Sequence, residues 1–113
     1  MANNIEVFKG DSAILTVHVT DSLGADFDVT TATEITFTIR EYEDDTVTLL
    51  QKTLTVGGII LTDPTHGEFT IKIEDGDTTD FPGVKYYDIE VEIAGEVYTV
   101  VKDTITISLE VTP

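Results

Sequence analysis

Between Thr33 and Arg40, Ile35, Phe37 and Ile39 alternate with polar or charged residues, and between Tyr87 and Ile93 every second residue is apolar and every residue between is charged. This alternation constrains the chain more than any other feature. Successive side chains of an extended strand point to opposite faces, whereas a helix repeats every ~3.6 residues. A chain patterned this way builds sheets with one dry face and one wet face. The same period runs through Ser12–Thr20, where Ala13, Leu15, Val17 and Val19 oppose Thr16 and His18. It recurs in Gly67–Ile73, with Phe69, Ile71 and Ile73 inward, and in Thr104–Thr112, with Ile105, Ile107, Leu109 and Val111 inward. Shorter strands are expected at Ile5–Phe8, Val47–Leu54, Ile59–Leu61 and Val97–Val101, and no stretch carries a convincing helical period.

The segments between these runs carry turn chemistry. Lys9-Gly10-Asp11, Asp21-Ser22-Leu23-Gly24, Gly57-Gly58, Asp63-Pro64-Thr65-His66-Gly67 and Asp80-Phe81-Pro82-Gly83 combine residues that accept positive φ, preset φ or bond their own backbone. Ala94-Gly95 is a two-residue hairpin connection between Ile93 and Val97–Val101. Many short strands with turns at close spacing predict an all-β fold, a two-sheet antiparallel sandwich of immunoglobulin-like type. At 113 residues, one domain covering 1–113 is expected. Its core is predicted to hold Leu15, Val17, Ile35, Phe37, Ile39, Phe69, Ile71, Ile89, Val91, Ile107 and Leu109.

Composition enters through what it excludes. The chain has no cysteine, so no disulfide can pin the sheets and no thiol can act as nucleophile or metal ligand. Its 22 acidic and 6 basic residues give a formal net charge of −16, which repels phosphate backbones and anionic lipid. No nucleic-acid or membrane partner is expected. The N-terminus, Met1-Ala2-Asn3-Asn4-Ile5, shows neither the basic nor the apolar stretch of a secretory signal.

Residues able to do chemistry are few. His18 lies on a strand and His66 in a turn, and nothing in the sequence brings them together. Asp88, Glu90 and Glu92 share one strand face at spacings of about 7 Å, a pattern of a solvated outer face. The loop Glu74–Asp80 offers Asp75, Asp77 and Asp80 as candidate metal ligands, because hard cations want several closely spaced oxygens. It departs from the EF-hand pattern at Thr79 and Tyr86, so a capped turn competes with a calcium site. No phosphate loop, nucleophile elbow or zinc-protease motif occurs. The expectation is a non-enzyme without cofactor. Ile14 and Val100, apolar but off the core pattern, are the candidate interface residues.

Four segments, Phe8-Lys9-Gly10-Asp11-Ser12, Asp28-Val29-Thr30 ahead of Ile35–Ile39, Gly67-Glu68-Phe69-Thr70-Ile71 and Pro82–Val91, together resemble a known family. In order and spacing they are similar to the immunoglobulin-like sandwich modules of tailed bacteriophage virions. Such modules form the N-terminal domain of upper baseplate proteins and the collar proteins to which long tail fibres attach. Two positions depart from the pattern: Lys102-Asp103 where a glycine often precedes the last strand, and Thr31 where a turn glycine is common. The resemblance implies a non-catalytic virion part, made in the host bacterial cytoplasm, that contacts other virion proteins and forms a homo-oligomer in the particle. A capsid decoration protein and a carbohydrate- or calcium-binding adhesion module are the alternatives.

Overall fold

Alternating apolar residues become strands because only pairing with neighbours satisfies their backbone while one face is buried. The computed structural model describes residues 5–8, 12–21, 23–43, 46–74, 76–78 and 81–108. Among them the strands are β1 (Ile5–Phe8), β2 (Ala13–His18), β3 (Glu34–Arg40), β4 (Thr48–Thr53), β5 (Ile59–Asp63), β6 (Glu68–Ile73), β7 (Gly83–Ile93) and β8 (Glu96–Ser108). A single 3-10 turn, Pro64–His66, joins β5 to β6.

One sheet has the order β1-β8-β7-β3-β4 and the other β2-β6-β5. All pairs are antiparallel except β1 with β8, which run parallel from Ile5↔Ile105 to Phe8↔Ser108. In immunoglobulin terms β2, β5 and β6 take the places of strands B, D and E, and β3, β7 and β8 those of C, F and G, with β4 as the added C′. The chain is a two-sheet immunoglobulin-like sandwich.

The core lies between the sheets. Ile35, Phe37 and Ile39 of β3, Ile89 and Val91 of β7, and Ile105 and Ile107 of β8 face Phe69, Ile71 and Ile73 of β6, all buried. Phe37 occupies the middle of β3 and its ring meets Tyr87 at 5.7 Å between centroids. Each such side chain stabilises the fold by about 1.5–3 kcal/mol through removal from water. Leu15 and Val17 pack on this core only from its rim, because β2 is an edge strand. Leu109 lies outside the described residues.

The Ala94-Gly95 connection forms as expected: both residues have positive φ, 53° and 83°, and Ile93 pairs with Glu96. Backbone twist of that kind matches the twist of the two strands it joins.

The segments Val97–Val101 and Thr104–Thr112 were expected as separate strands, but the described part of both belongs to β8. The register shows why. Ile89 pairs with Val101 and Glu90 with Thr99, so Val100 is the extra residue of a β-bulge. A bulge shifts the alternation by one residue. Before it Tyr98 stands opposite buried Val91, and after it Val101, Ile105 and Ile107 continue the inward row.

Candidate functional site

The fold treats the candidate metal ligands, the acidic row, the two histidines and the candidate interface residues differently. Of the proposed metal ligands, Asp75 and Asp80 lie outside the described residues. Asp77 follows β6, where its Oδ2 accepts the Glu74 N–H at 2.7 Å and meets Lys52 Nζ at 2.7 Å. Both side chains of that ion pair are largely shielded, at 14 % and 20 % exposure. A carboxylate already neutralised by an ammonium has little left to offer a cation. Among the described residues no group of three or more His, Asp or Glu side chains is arranged to hold a metal.

The acidic row Asp88, Glu90 and Glu92 sits on the outer face of the larger sheet, but on an interior strand, between β8 and β3. Asp88 pairs with Arg40 of β3, and its Oδ1 is buried without a partner. Glu92 stands directly opposite Glu34, a like-charge pair that by itself destabilises the sheet. Hydroxyl donors offset that repulsion: Thr33 Oγ1 donates to Glu92 Oε1 at 2.9 Å, and Thr55 Oγ1 donates to Glu34 Oε2. Burial raises the Glu34 pKa, but hydrogen bonds from the Thr55 side chain and from the backbone of Thr55, Ile35 and Leu54 outweigh it and hold the pKa below the ordinary value. The row is a half-buried outer sheet face whose Asp88 and Glu92 carboxylates meet Arg40 and Thr33.

The two histidines, unrelated in sequence, are carried to one end of the sandwich. His18 ends β2 and its Nε2 lies 2.7 Å from Asp26 Oδ1, in the loop that follows β2. His66 ends the 3-10 turn, with Nδ1 3.0 Å from Asp63 Oδ1. The hydrogen bond to Asp63 comes first among the causes that raise the His66 pKa, with the fields of Asp26 and Asp28 behind it. In return the His66 bond, and more weakly the field of His18, lower the Asp63 pKa. Asp28 is also lowered, first by the Thr30 side chain and then by the Thr30 N–H, which donates at 2.8 Å.

Backbone hydrogen bonds tie that end together. Val19 N–H donates to Gly67 O at 2.9 Å, Phe27 N–H to Val19 O at 3.0 Å and Val29 N–H to Pro64 O at 2.9 Å. Gly67 has φ +74°, and a Cβ there would come within 2.6 Å of both Val19 O and Phe27 O. Phe27 also meets Tyr98 edge-to-face, at 5.9 Å, which ties the loop to β8. All four imidazole and carboxylate groups of the two pairs are substantially exposed. Pairing of this kind orders a surface, and Thr65 Oγ1 joins it at 3.4 Å from both Asp63 Oδ1 and His66 Nδ1.

Of the candidate interface residues, Ile14 is 67 % exposed on the outer face of β2, as the alternation requires. Val100 is not outward. The bulge turns it toward the core, where it is half-buried against the apolar cluster.

A groove of about 200 Å³ went unanticipated. It opens between β2 and the larger sheet and is lined by Ile5, Thr16, Val17, His18, Tyr87, Ile89 and Val101. Burial, chiefly, pushes the Tyr87 phenol up to about 12. No protein-family model matches the chain, and no curated protein matches it either.

Proposed function

We propose that this protein is a non-catalytic structural component of a tailed bacteriophage virion, a tail baseplate or tail-fibre collar adaptor that acts through protein–protein contacts. The observation that carries the reading is the ordered set of four segments resembling virion sandwich modules. In the fold their apolar residues Val29, Ile35, Phe37, Ile39, Phe69, Ile71, Tyr87, Ile89 and Val91 line one core. A rigid sandwich offers faces, loops and edges to other chains. Ile14, Ile60 and Val84 are apolar residues exposed on such surfaces.

The charge sets the conditions of assembly. With −16 on each copy, like subunits approach only when salt screens them, when cations bind or when a basic partner intervenes. Self-association should be weak in dilute low-salt buffer and grow with ionic strength, as read by analytical ultracentrifugation. The deciding experiment is mass spectrometry of purified particles of the source phage, separated into heads and tails. The protein in the tail fraction supports the adaptor; the protein in heads makes it a decoration protein; its absence from both overturns a virion role.

A further inference from the structure

Four strands stand at sheet edges: β1 and β4 on the larger sheet, β2 and β5 on the smaller. Proteins blunt exposed edges with shortness, charge, proline or bulges, because free N–H and C=O groups template pairing with another chain. β1 is only 4 residues long and carries Glu6. β4 carries Lys52 and meets β3 at a register shift beside Arg40. β5 has a register shift between Leu61 and Asp63 and runs into Pro64. β2 has none of these. Its register with β6 is unbroken from Ala13↔Ile73 to His18↔Glu68, and the strand contains no carboxylate, lysine, arginine or proline.

The unguarded edge also borders the groove. Val17 of β2, Ile5 of β1, and Ile89 and Val101 of the larger sheet supply its apolar lining, beside Thr16 and His18, whose backbone groups turn to the edge while those of Val17 pair with Phe69 of β6. An added strand would bond that backbone and set alternate side chains into the recess, the geometry of β-augmentation. Charge selects the occupant. A second copy would bring another −16 to the site, whereas a cationic segment is drawn to the whole molecule. Nearer the edge, Asp26 lies beside His18, while Lys72, opposite Ile14, is already near Glu74 at 3.8 Å.

We infer that the β2 edge and its groove accept one extended segment of another protein, in which small apolar residues alternate with lysine or arginine. The apolar residues enter the groove beside Val17, and the cations remain in the acidic field outside. The inference stands whether or not that other protein belongs to a virion.

The test uses the full chain and a short capped peptide alternating valine with lysine, against the same peptide with glutamate for lysine. Isotope-edited NMR should show slowed amide exchange along β2, and titration should show affinity falling roughly tenfold from low to high salt. The glutamate peptide should not bind. Ile14→Lys places a guarding charge on the edge without touching the core, and should weaken the lysine peptide at least about tenfold at unchanged melting temperature. Equal binding of both peptides, or protection confined to β4 or β5, overturns the inference. So does protection of β2 that appears with protein concentration alone, which would make a second copy the occupant.

Discussion

The two long sides of the sandwich close in opposite ways. On the side of β4 and β5, Lys52 reaches from the larger sheet to Asp77 beyond the end of β6, and its alkyl chain lies over Gly58. Gly58 O in turn accepts the Lys72 N–H at 2.7 Å. On the side of β2, the sheets part around a groove of about 200 Å³ whose floor is Tyr87, Ile89 and Val101. In a chain with 6 basic residues, one lysine placed across a seam changes that seam's character. The first side is held by the protein's own side chains, and the second presents backbone and apolar surface to whatever arrives.

The largest effect should come from the core beneath both sides. Phe37 is fully buried, and Phe37→Ala should cost about 3–5 kcal/mol in denaturant unfolding, since its neighbours cannot collapse into the space. A loss below about 1 kcal/mol would mean that the sheets do not meet there.

Next is the closed side. Gly58 has φ +98°, and a Cβ there would lie 2.7 Å from Lys52 Cδ. Gly58→Ala should cost about 1–3 kcal/mol from strain and displacement of the lysine. Lys52→Met keeps the alkyl packing but leaves Asp77 without its cation, and should cost about 1–2 kcal/mol, between an exposed and a buried pair. If Lys52→Met is neutral while Gly58→Ala is not, packing and not charge closes this side.

The open side should respond with the opposite sign. Val17→Leu directs an added methylene toward vacant volume, and should stabilise by about 0.5–1 kcal/mol. Enlargement in the fully buried core, as in Ile71→Phe, should instead destabilise by about 1–3 kcal/mol. Destabilisation by Val17→Leu would show the groove to be tighter than its shape suggests, and would weaken the contrast between the sides.

Strands whose alternation never changes phase were legible in the sequence: β3, β6 and β7 fall within a residue or a few of the expected spans, and Ile35, Phe37, Ile39, Phe69, Ile71, Ile89 and Val91 are buried as read. The Ala94-Gly95 turn was legible because positive φ has few tolerant residues. β8 was not, since a bulge at Val100 exchanges the two faces mid-strand and leaves no compositional mark. The contact surfaces were hardly legible at all. Lys52 meeting Asp77, Arg40 meeting Asp88 and the two histidines sharing one end are products of register between distant segments. A pattern local in sequence fixes which face a residue occupies, and says little about which neighbour it finds there.

The smallest effect concerns the histidine end, where the ends of β2 and β5 meet the Pro64–His66 turn. The His66 pKa is raised above its ordinary 6.5, first by the hydrogen bond to Asp63, so the folded state binds the proton more tightly than the unfolded chain does. Its contribution is therefore fully present below 6.5 and is lost as pH rises through the raised value. Asp63 has the opposite sign: its pKa lies below the ordinary 3.8, and its contribution is present above that value and lost as pH falls through the lowered one. The pair consequently works in mildly acidic solution. Because both side chains are more than half exposed, solvent screens most of the interaction. His66→Gln should lower the melting temperature slightly in that range, and the difference should shrink as the solution becomes alkaline. NMR titration should place the His66 midpoint above 6.5, with the amides of β4 unmoved. A midpoint at or below 6.5 would remove the bridge to Asp63, and movement of the β4 amides on titrating His66 would join this end to the closed side.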